Sequence, residues 1–228
     1  MTIRWGILGA GKIAGRFAAS LQNEKRSVLE AIAVRREEKA LAFRERFSFE
    51  RYYTDYERLL EDEAVDAIYL ALPHGLHKEW AIKAMRKGKA VLCEKPAALS
   101  AAEMREIAAV SRETRVLFME AMKTRFVPLY PELKEIVQSG KIGALTSIET
   151  ALCFLLPADM TSTYHTQKGQ GGCLLDSGIY CAGWLEEFAG YPLKLDKVYA
   201  KVAQDVDMYV DARLSGQVCP ARLETGFD

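Results

Sequence analysis

The sequence predicts an α/β fold: a doubly wound parallel sheet with helices on both faces, followed by further strands in the second half of the chain. Two observations carry this. Apolar runs beginning at Ile3 and spanning 28–34, 65–72 and 89–93 alternate with helix-patterned segments, an arrangement that lays parallel strands side by side beneath crossover helices. The first run ends in Gly9-Ala10-Gly11-Lys12-Ile13-Ala14, and beyond it Ile13, Phe17 and Leu21 recur four apart. The period therefore switches from strand to amphipathic helix at the glycines.

The spacing Gly9-x-Gly11-x-x-Ala14 has a physical reason. Gly9 allows the tight turn, Gly11 lets a pyrophosphate approach the backbone, and small Ala14 lets helix and strand pack closely, as in a dinucleotide-binding Rossmann unit. Lys12 and Ile13 open the helix, whose free N–H groups face an anion. The second strand, 28–34, ends in Arg35-Arg36 with no acid where a ribose 2′-hydroxyl would be held. Arginine there accommodates a 2′-phosphate, so NADP(H) is expected over NAD(H). The competing reading makes Arg35 and Arg36 solvated charges opposite Glu37 and Glu38.

A helix is expected over 37–47, then a short strand near Tyr52-Tyr53. Thr54-Asp55-Tyr56-Glu57 reads as a capping box opening the next helix. The buried strand 65–72 is halted by Pro73, and a helix from Lys78 to Arg86 precedes the strand 89–93. Ligands of such sheets lie beyond the carboxyl ends of the strands. The glycine turn, Arg35-Arg36, Leu72-Pro73-His74-Gly75-Leu76-His77 and Glu94-Lys95-Pro96 are thereby directed to one crevice. A lysine there is suited to acid/base work when its surroundings lower its pKa. Residues alone leave the other reading open, with Glu94 and Lys95 a surface ion pair before a proline loop.

Taken in order and spacing, Gly9–Ala14, Leu72-Pro73-His74-Gly75-Leu76-His77 and Cys93-Glu94-Lys95-Pro96 resemble the Gfo/Idh/MocA oxidoreductases, the glucose-fructose oxidoreductase and inositol dehydrogenase family. The resemblance implies that Lys95 is the catalytic acid/base and that Leu72, Pro73, His77 and Glu94 shape the nicotinamide pocket. Ser100-Ala101-Ala102-Glu103 is a second capping box, opening a helix to about Glu113, and 115–119 closes the first sheet as a sixth strand. The boundary is placed near Ala121, giving a dinucleotide-binding domain over 1–121 and a substrate-binding and dimerisation domain over 122–228.

Glu120-Ala121-Met122-Lys123-Thr124-Arg125-Phe126 resembles the family's crossover segment, whose arginine approaches the cofactor. An interdomain salt bridge is the other reading of Arg125, and Lys123 stands where the family carries an aromatic. A helix over 131–138 and a strand over 145–155 follow, then a polar stretch, 157–170, expected as a loop over the active site. Gly171-Gly172-Cys173-Leu174-Leu175-Asp176-Ser177-Gly178-Ile179-Tyr180 resembles the segment that supplies substrate-binding and proton-transfer groups. If it opens a helix, Asp176 and Tyr180 share a face. The structural alternative is a helix-start charge and a core phenol. Tyr180 in place of histidine is closer to the glucose-fructose oxidoreductase and dihydrodiol dehydrogenase branches. Strands are expected over 194–202, 208–214 and from Ala221. The resemblance makes this second domain α+β, with an open, mostly antiparallel sheet that is incomplete here and serves as a homodimer face.

Composition narrows the alternatives. In 228 residues, hydrophobic types make up 50% and charged types 27%, the balance of an ordinary globular chain. Lys+Arg and Asp+Glu are both 31, and this neutrality gives no support for a nucleic-acid or membrane-surface partner. The start reads as a strand rather than a signal peptide, and the longest apolar run is far short of a bilayer span. Cys93, Cys153, Cys173, Cys181 and Cys219 form an odd set without a Cys-x-x-Cys pair, which suits a reducing compartment. A cytoplasmic location is expected. His74 and His77 have no third ligand cluster beside them, so no metal is expected.

The expected function is an NADP(H)-dependent oxidoreductase, moving hydride between nicotinamide and a carbinol or carbonyl carbon of a sugar, cyclic polyol or dihydrodiol. Lys95 exchanges the proton, Tyr180 assists and Asp176 orients. The alternative is a catalytically inactive dinucleotide-binding or regulatory protein, or a truncated family member.

Overall fold

The computed structural model describes residues 2–157 and 164–227. The chain divides into two compact units, Met1–Ala121 and Met122–Asp228. In the first, β1 (Ile3–Leu8), α1 (Lys12–Leu21), β2 (Ser27–Ala33), α2 (Glu37–Phe47), β3 (Arg51–Tyr53), α3 (Tyr56–Leu60), β4 (Ala67–Leu70), α4 (His77–Arg86), β5 (Ala90–Cys93), α5 (Ala101–Thr114) and β6 (Phe118–Glu120) alternate along the chain. All strand pairs are parallel, in the order β3-β2-β1-β4-β5-β6. The chain therefore reverses direction across the sheet beside β1, and that reversal opens the crevice. Ile7, Leu8, Ile32, Ile68 and Leu70 are wholly inaccessible to solvent, as strands covered on both faces require.

Two sequence-based boundaries move for local reasons. Asp55, not Thr54, caps α3, its carboxylate accepting from the Glu57 N–H at 2.9 Å. Arg115 does not begin a strand. It takes the left-handed conformation at φ 56° that ends α5, so β6 starts at Phe118. The second box is present in altered form: Ser100 accepts from the Glu103 N–H at 3.3 Å, while Glu103 accepts from Leu99 rather than from Ser100.

The second unit holds α6 (Leu129–Gln138), β7 (Ile148–Phe154), a π-helical turn (Leu174–Gly178) leading into α7 (Ile179–Ala189), β8 (Lys194–Ala203), β9 (Val206–Ser215) and β10 (Pro220–Phe227). Its sheet runs β7-β10-β9-β8, antiparallel except where β10 meets β7. Helix α7 buries Cys181 and Leu185 against Val210, Ala221 and Leu223 of β9 and β10. Every residue of β8 is exposed, Leu195 at 55% and Val202 at 67%. Residues 158–163 of the expected active-site loop lie outside the described residues, and Tyr164–Thr166 form a 3₁₀ turn.

Candidate functional site

The site is built first from the glycine turn. Gly9 has φ +102°, and a Cβ there would stand 2.4 Å from the Ala71 carbonyl oxygen, so glycine is required for folding itself. Gly11 differs. Its φ of −86° suits any residue, and a Cβ would meet nothing within 4 Å. Glycine there leaves space directly over the start of α1. That helix has no side-chain cap and no acid in its first turn, so its leading N–H groups point outward, where an anion would be stabilised. A groove of about 500 Å³ adjoins the turn, with Lys12, Arg16 and Arg46 among its lining and no acidic residue. These features fit a dinucleotide pyrophosphate.

At the end of β2, the Arg36 guanidinium lies 3.4 Å from Glu38, both well exposed. Arg35 meets the Tyr56 hydroxyl. No acid stands at the end of β2 itself, where a ribose 2′-hydroxyl would be held, and Glu38 meets Arg36 only in a well-exposed pair, so the two arginines are placed for a 2′-phosphate.

Beyond β4 and β5, two loops are tied together by one side chain. His77 is fully buried, its Nδ1 2.8 Å from the Pro96 carbonyl oxygen and its Nε2 2.7 Å from that of Leu72. Burial pushes the His77 pKa below the ordinary imidazole value, against an opposing pull from the two carbonyls and from Glu94 and Glu120. The sequence-based expectation placed His77 on the cofactor pocket. The structure turns its ring onto the two loops instead, leaving neither nitrogen for a ligand. Pro73 is exposed and Leu72 buried.

The Glu94-Lys95-Pro96 segment is held on every side. Glu94 N–H donates to Leu70 at 2.9 Å, Ala97 N–H to the Glu120 carboxylate at 2.7 Å, and Ala121 N–H to Cys93 at 2.7 Å. The Tyr69 hydroxyl donates to Glu94 Oε1, and Phe17 of α1 stacks on the Tyr69 ring at 3.8 Å. Lys95 itself is half-buried between these fixed neighbours, a place from which an ammonium could transfer a proton without the loop rearranging. Tyr69 escaped sequence reasoning. Its signal was a single phenol in an otherwise aliphatic buried strand, since a buried hydroxyl needs a partner.

In the second unit, Asp176 is buried on the π-turn and Tyr180 half-buried on α7, with the Lys123 ammonium 5.4 Å from the Tyr180 ring centre. The segment does not open as a regular α-helix, as the shared-face argument assumed. The π-turn inserts a residue around Asp176, and such bulges concentrate at functional sites. Arg125 pairs with Glu186 at 2.9 Å, and both belong to the second unit, so this bridge is not the interdomain one considered. Among the described residues no three His, Cys, Asp or Glu side chains come together as a metal site. No described helix is long and apolar enough to cross a membrane.

Comparison with known proteins adds independent findings. Residues 3–122 match a family model described as "Oxidoreductase family, NAD-binding Rossmann fold", and residues 130–218 match "GFO/IDH/MocA C-terminal domain". The chain is 38% identical over 193 residues to trans-1,2-dihydrobenzene-1,2-diol dehydrogenase of Mus musculus, covering 83% of this chain and 57% of that enzyme. It is 34% identical to D-xylose 1-dehydrogenase (NADP(+)) 2 of Haloferax volcanii, covering 98% of this chain and 69% of that one. The fold superposes on KijD10, a 3-ketoreductase from Actinomadura kijaniata in complex with NADP and TDP-benzene, with TM-score 0.93 and 32% identity over 100% of this chain and 70% of that one.

Proposed function

The chain belongs to the GFO/IDH/MocA oxidoreductase family, and on that premise we propose that it is an NADP(H)-dependent oxidoreductase acting on a carbinol or carbonyl carbon of a sugar, cyclic polyol or dihydrodiol. The observation that carries this reading is the open space above Gly11 at an uncapped helix start. It is supported by Lys95 held at the carboxyl end of β5 and by relatives whose names specify dihydrodiol, xylose and NADP(+).

When bound, the dinucleotide supplies the carbon that gives or takes hydride. Gly9, Gly11, Lys12 and Ile13 accommodate its pyrophosphate, with the leading N–H groups of α1 offsetting the charge. Arg35 and Arg36 receive the 2′-phosphate. Leu72, Pro73 and Glu94 shape the nicotinamide pocket, and His77 acts through the two loops it joins. Lys95 donates a proton from Nζ to the substrate oxygen during reduction and takes it back during oxidation. Tyr180 assists proton exchange, Asp176 orients substrate, and Arg125 approaches the cofactor. The domain roles follow: 1–121 binds the dinucleotide, while 122–228 binds substrate and dimerises. We extend the proposal to a homodimer formed through the exposed apolar residues of β8, and to a cytoplasmic location that suits an odd set of cysteines without a Cys-x-x-Cys pair.

The test is Lys95→Ala, assayed by NADPH absorbance across sugars, polyols and dihydrodiols. Loss of a positioned acid/base predicts a fall in turnover of about 10²–10⁴, with NADPH affinity held within about twofold, well under the tenfold that 1.4 kcal/mol would give. Unchanged turnover would remove Lys95 from the chemistry. A second reading, dinucleotide binding without catalysis, is motivated by Lys123, which stands where the family carries an aromatic. Tight NADPH binding with no turnover on the whole panel would favour it.

A further inference from the structure

Asp207 takes no part in the assignments above, yet it fastens the start of the Asp176–Tyr180 segment to β9. Its Oδ2 accepts from the Leu174 N–H at 2.7 Å and from the Cys173 thiol at 3.2 Å. The same carboxylate occupies the volume beside Gly172, where a Cβ would stand 2.1 Å from Asp207 Oδ1, and Gly172 has φ +109°. Gly172 is therefore glycine both for its backbone angle and to make room for Asp207. Burial and this carboxylate together push the Cys173 thiol far above its ordinary pKa, so it remains a protonated donor.

The carboxylate is placed by a tight hairpin. Strands β8 and β9 join through Gln204 and Asp205, both with positive φ (54° and 63°), the conformation a two-residue connection needs. This brings Asp207 opposite Val202, at the beginning of β9. On the other side, the buried Ser177 and Thr225 hydroxyls are 2.6 Å apart, and Thr225 donates to the Leu152 carbonyl of β7 at 3.0 Å. The π-turn is thus gripped from β9 at its start and from β10 along its buried side.

We infer that Asp207 is the positioning residue for the Asp176–Tyr180 segment, holding the entry to the π-turn so that both side chains keep one orientation. It acts through the Leu174 N–H and the Cys173 thiol rather than on the reacting atoms. The inference rests on the proposed roles of Asp176 and Tyr180, and its experiment separates the two. Asp207→Ala and Asp207→Asn are compared with the parent by steady-state kinetics with NADPH and by amide hydrogen exchange across residues 172–180, with thermal unfolding confirming the folded fraction.

Asp207→Ala is expected to lower kcat about tenfold while KM for NADPH stays within about twofold, and to speed exchange at the π-turn. Asp207→Asn keeps an acceptor oxygen and restores most of both, and it decides the matter alone should the alanine variant not fold. The inference is overturned if Asp207→Ala keeps parental kcat and exchange. It also fails if kcat and NADPH affinity fall together, or if Asn behaves as Ala. A parent inactive on every substrate sinks the functional reading instead, and exchange at 172–180 then decides whether Asp207 holds the turn.

Discussion

The two units fasten their chemistry-bearing segments by opposite means. In the first, a buried imidazole, His77, lies between two backbone carbonyls and joins the loops that follow β4 and β5. In the second, a carboxylate, Asp207, gathers a backbone N–H and a thiol at the entry to a π-turn. Parallel-sheet order already delivers the first unit's loops to one edge, so its fastener lies within the motif it serves. The second unit has no such order to rely on, and its fastener arrives from a strand 33 residues away.

The sharpest break of this comparison lies inside the first unit's glycine turn. Gly9→Ala forces a left-handed φ on a residue with a Cβ and drives that Cβ into the Ala71 carbonyl, so chemical denaturation should show a loss of about 3 kcal/mol or more. Gly11→Ala meets neither obstacle, and its stability should stay within about 0.5 kcal/mol of the parent. Calorimetric titration should nonetheless show NADPH affinity down about tenfold or more, because the added methyl occupies the space meant for pyrophosphate. Equal effects at the two glycines would mean that the open space serves folding alone.

His77 separates the two fasteners by pH. Burial outweighs the two carbonyls, which favour the doubly protonated ring, so its folded pKa is lowered, the neutral ring donates to one carbonyl and packs against the other, and stability is present above the unfolded value of about 6.5. That contribution is lost as pH falls through 6.5 toward the lower folded value. Unfolding free energy measured from pH 8 to 5 should decline in the parent and decline less in His77→Gln. Identical slopes would show that the ring does not titrate against the fold.

The smallest effect is expected at Arg125→Ala. Its bridge to Glu186 is 38% and 52% exposed on its two sides, and solvent screening limits such pairs to under about 1 kcal/mol. A larger loss in thermal stability would reveal packing by the arginine stem. A loss of NADPH affinity would instead support its approach to the cofactor.

The succession of strands and helices along the first unit, the glycine turn and the loops after β4 and β5 were legible because each is a local pattern: apolar runs, turn residues and a capping serine at Ser100. Where the code was not local, reading failed or slipped. Ser48 and Arg115 end helices in left-handed conformations without glycine, so neither stop carries a residue signal and the apolar run after Arg115 reads as strand one turn too early. Gln204-Asp205 forms a tight hairpin without the usual Asn or Gly signal. Asp55 outcompetes Thr54 as a cap because the choice depends on where the chain first turns. Tyr69 and Asp207 matter through partners 25 and 33 residues away, which periodicity does not register.

The account stands on a phosphorylated dinucleotide binding across the glycine turn of the first unit. Calorimetric titration of the folded chain with NADPH and NADH side by side tests this most directly. Arg35 and Arg36 predict saturable NADPH binding about tenfold or more tighter than NADH, the effect of charge-assisted contacts to one phosphate. Folded protein that binds neither, or that prefers NADH, would contradict it.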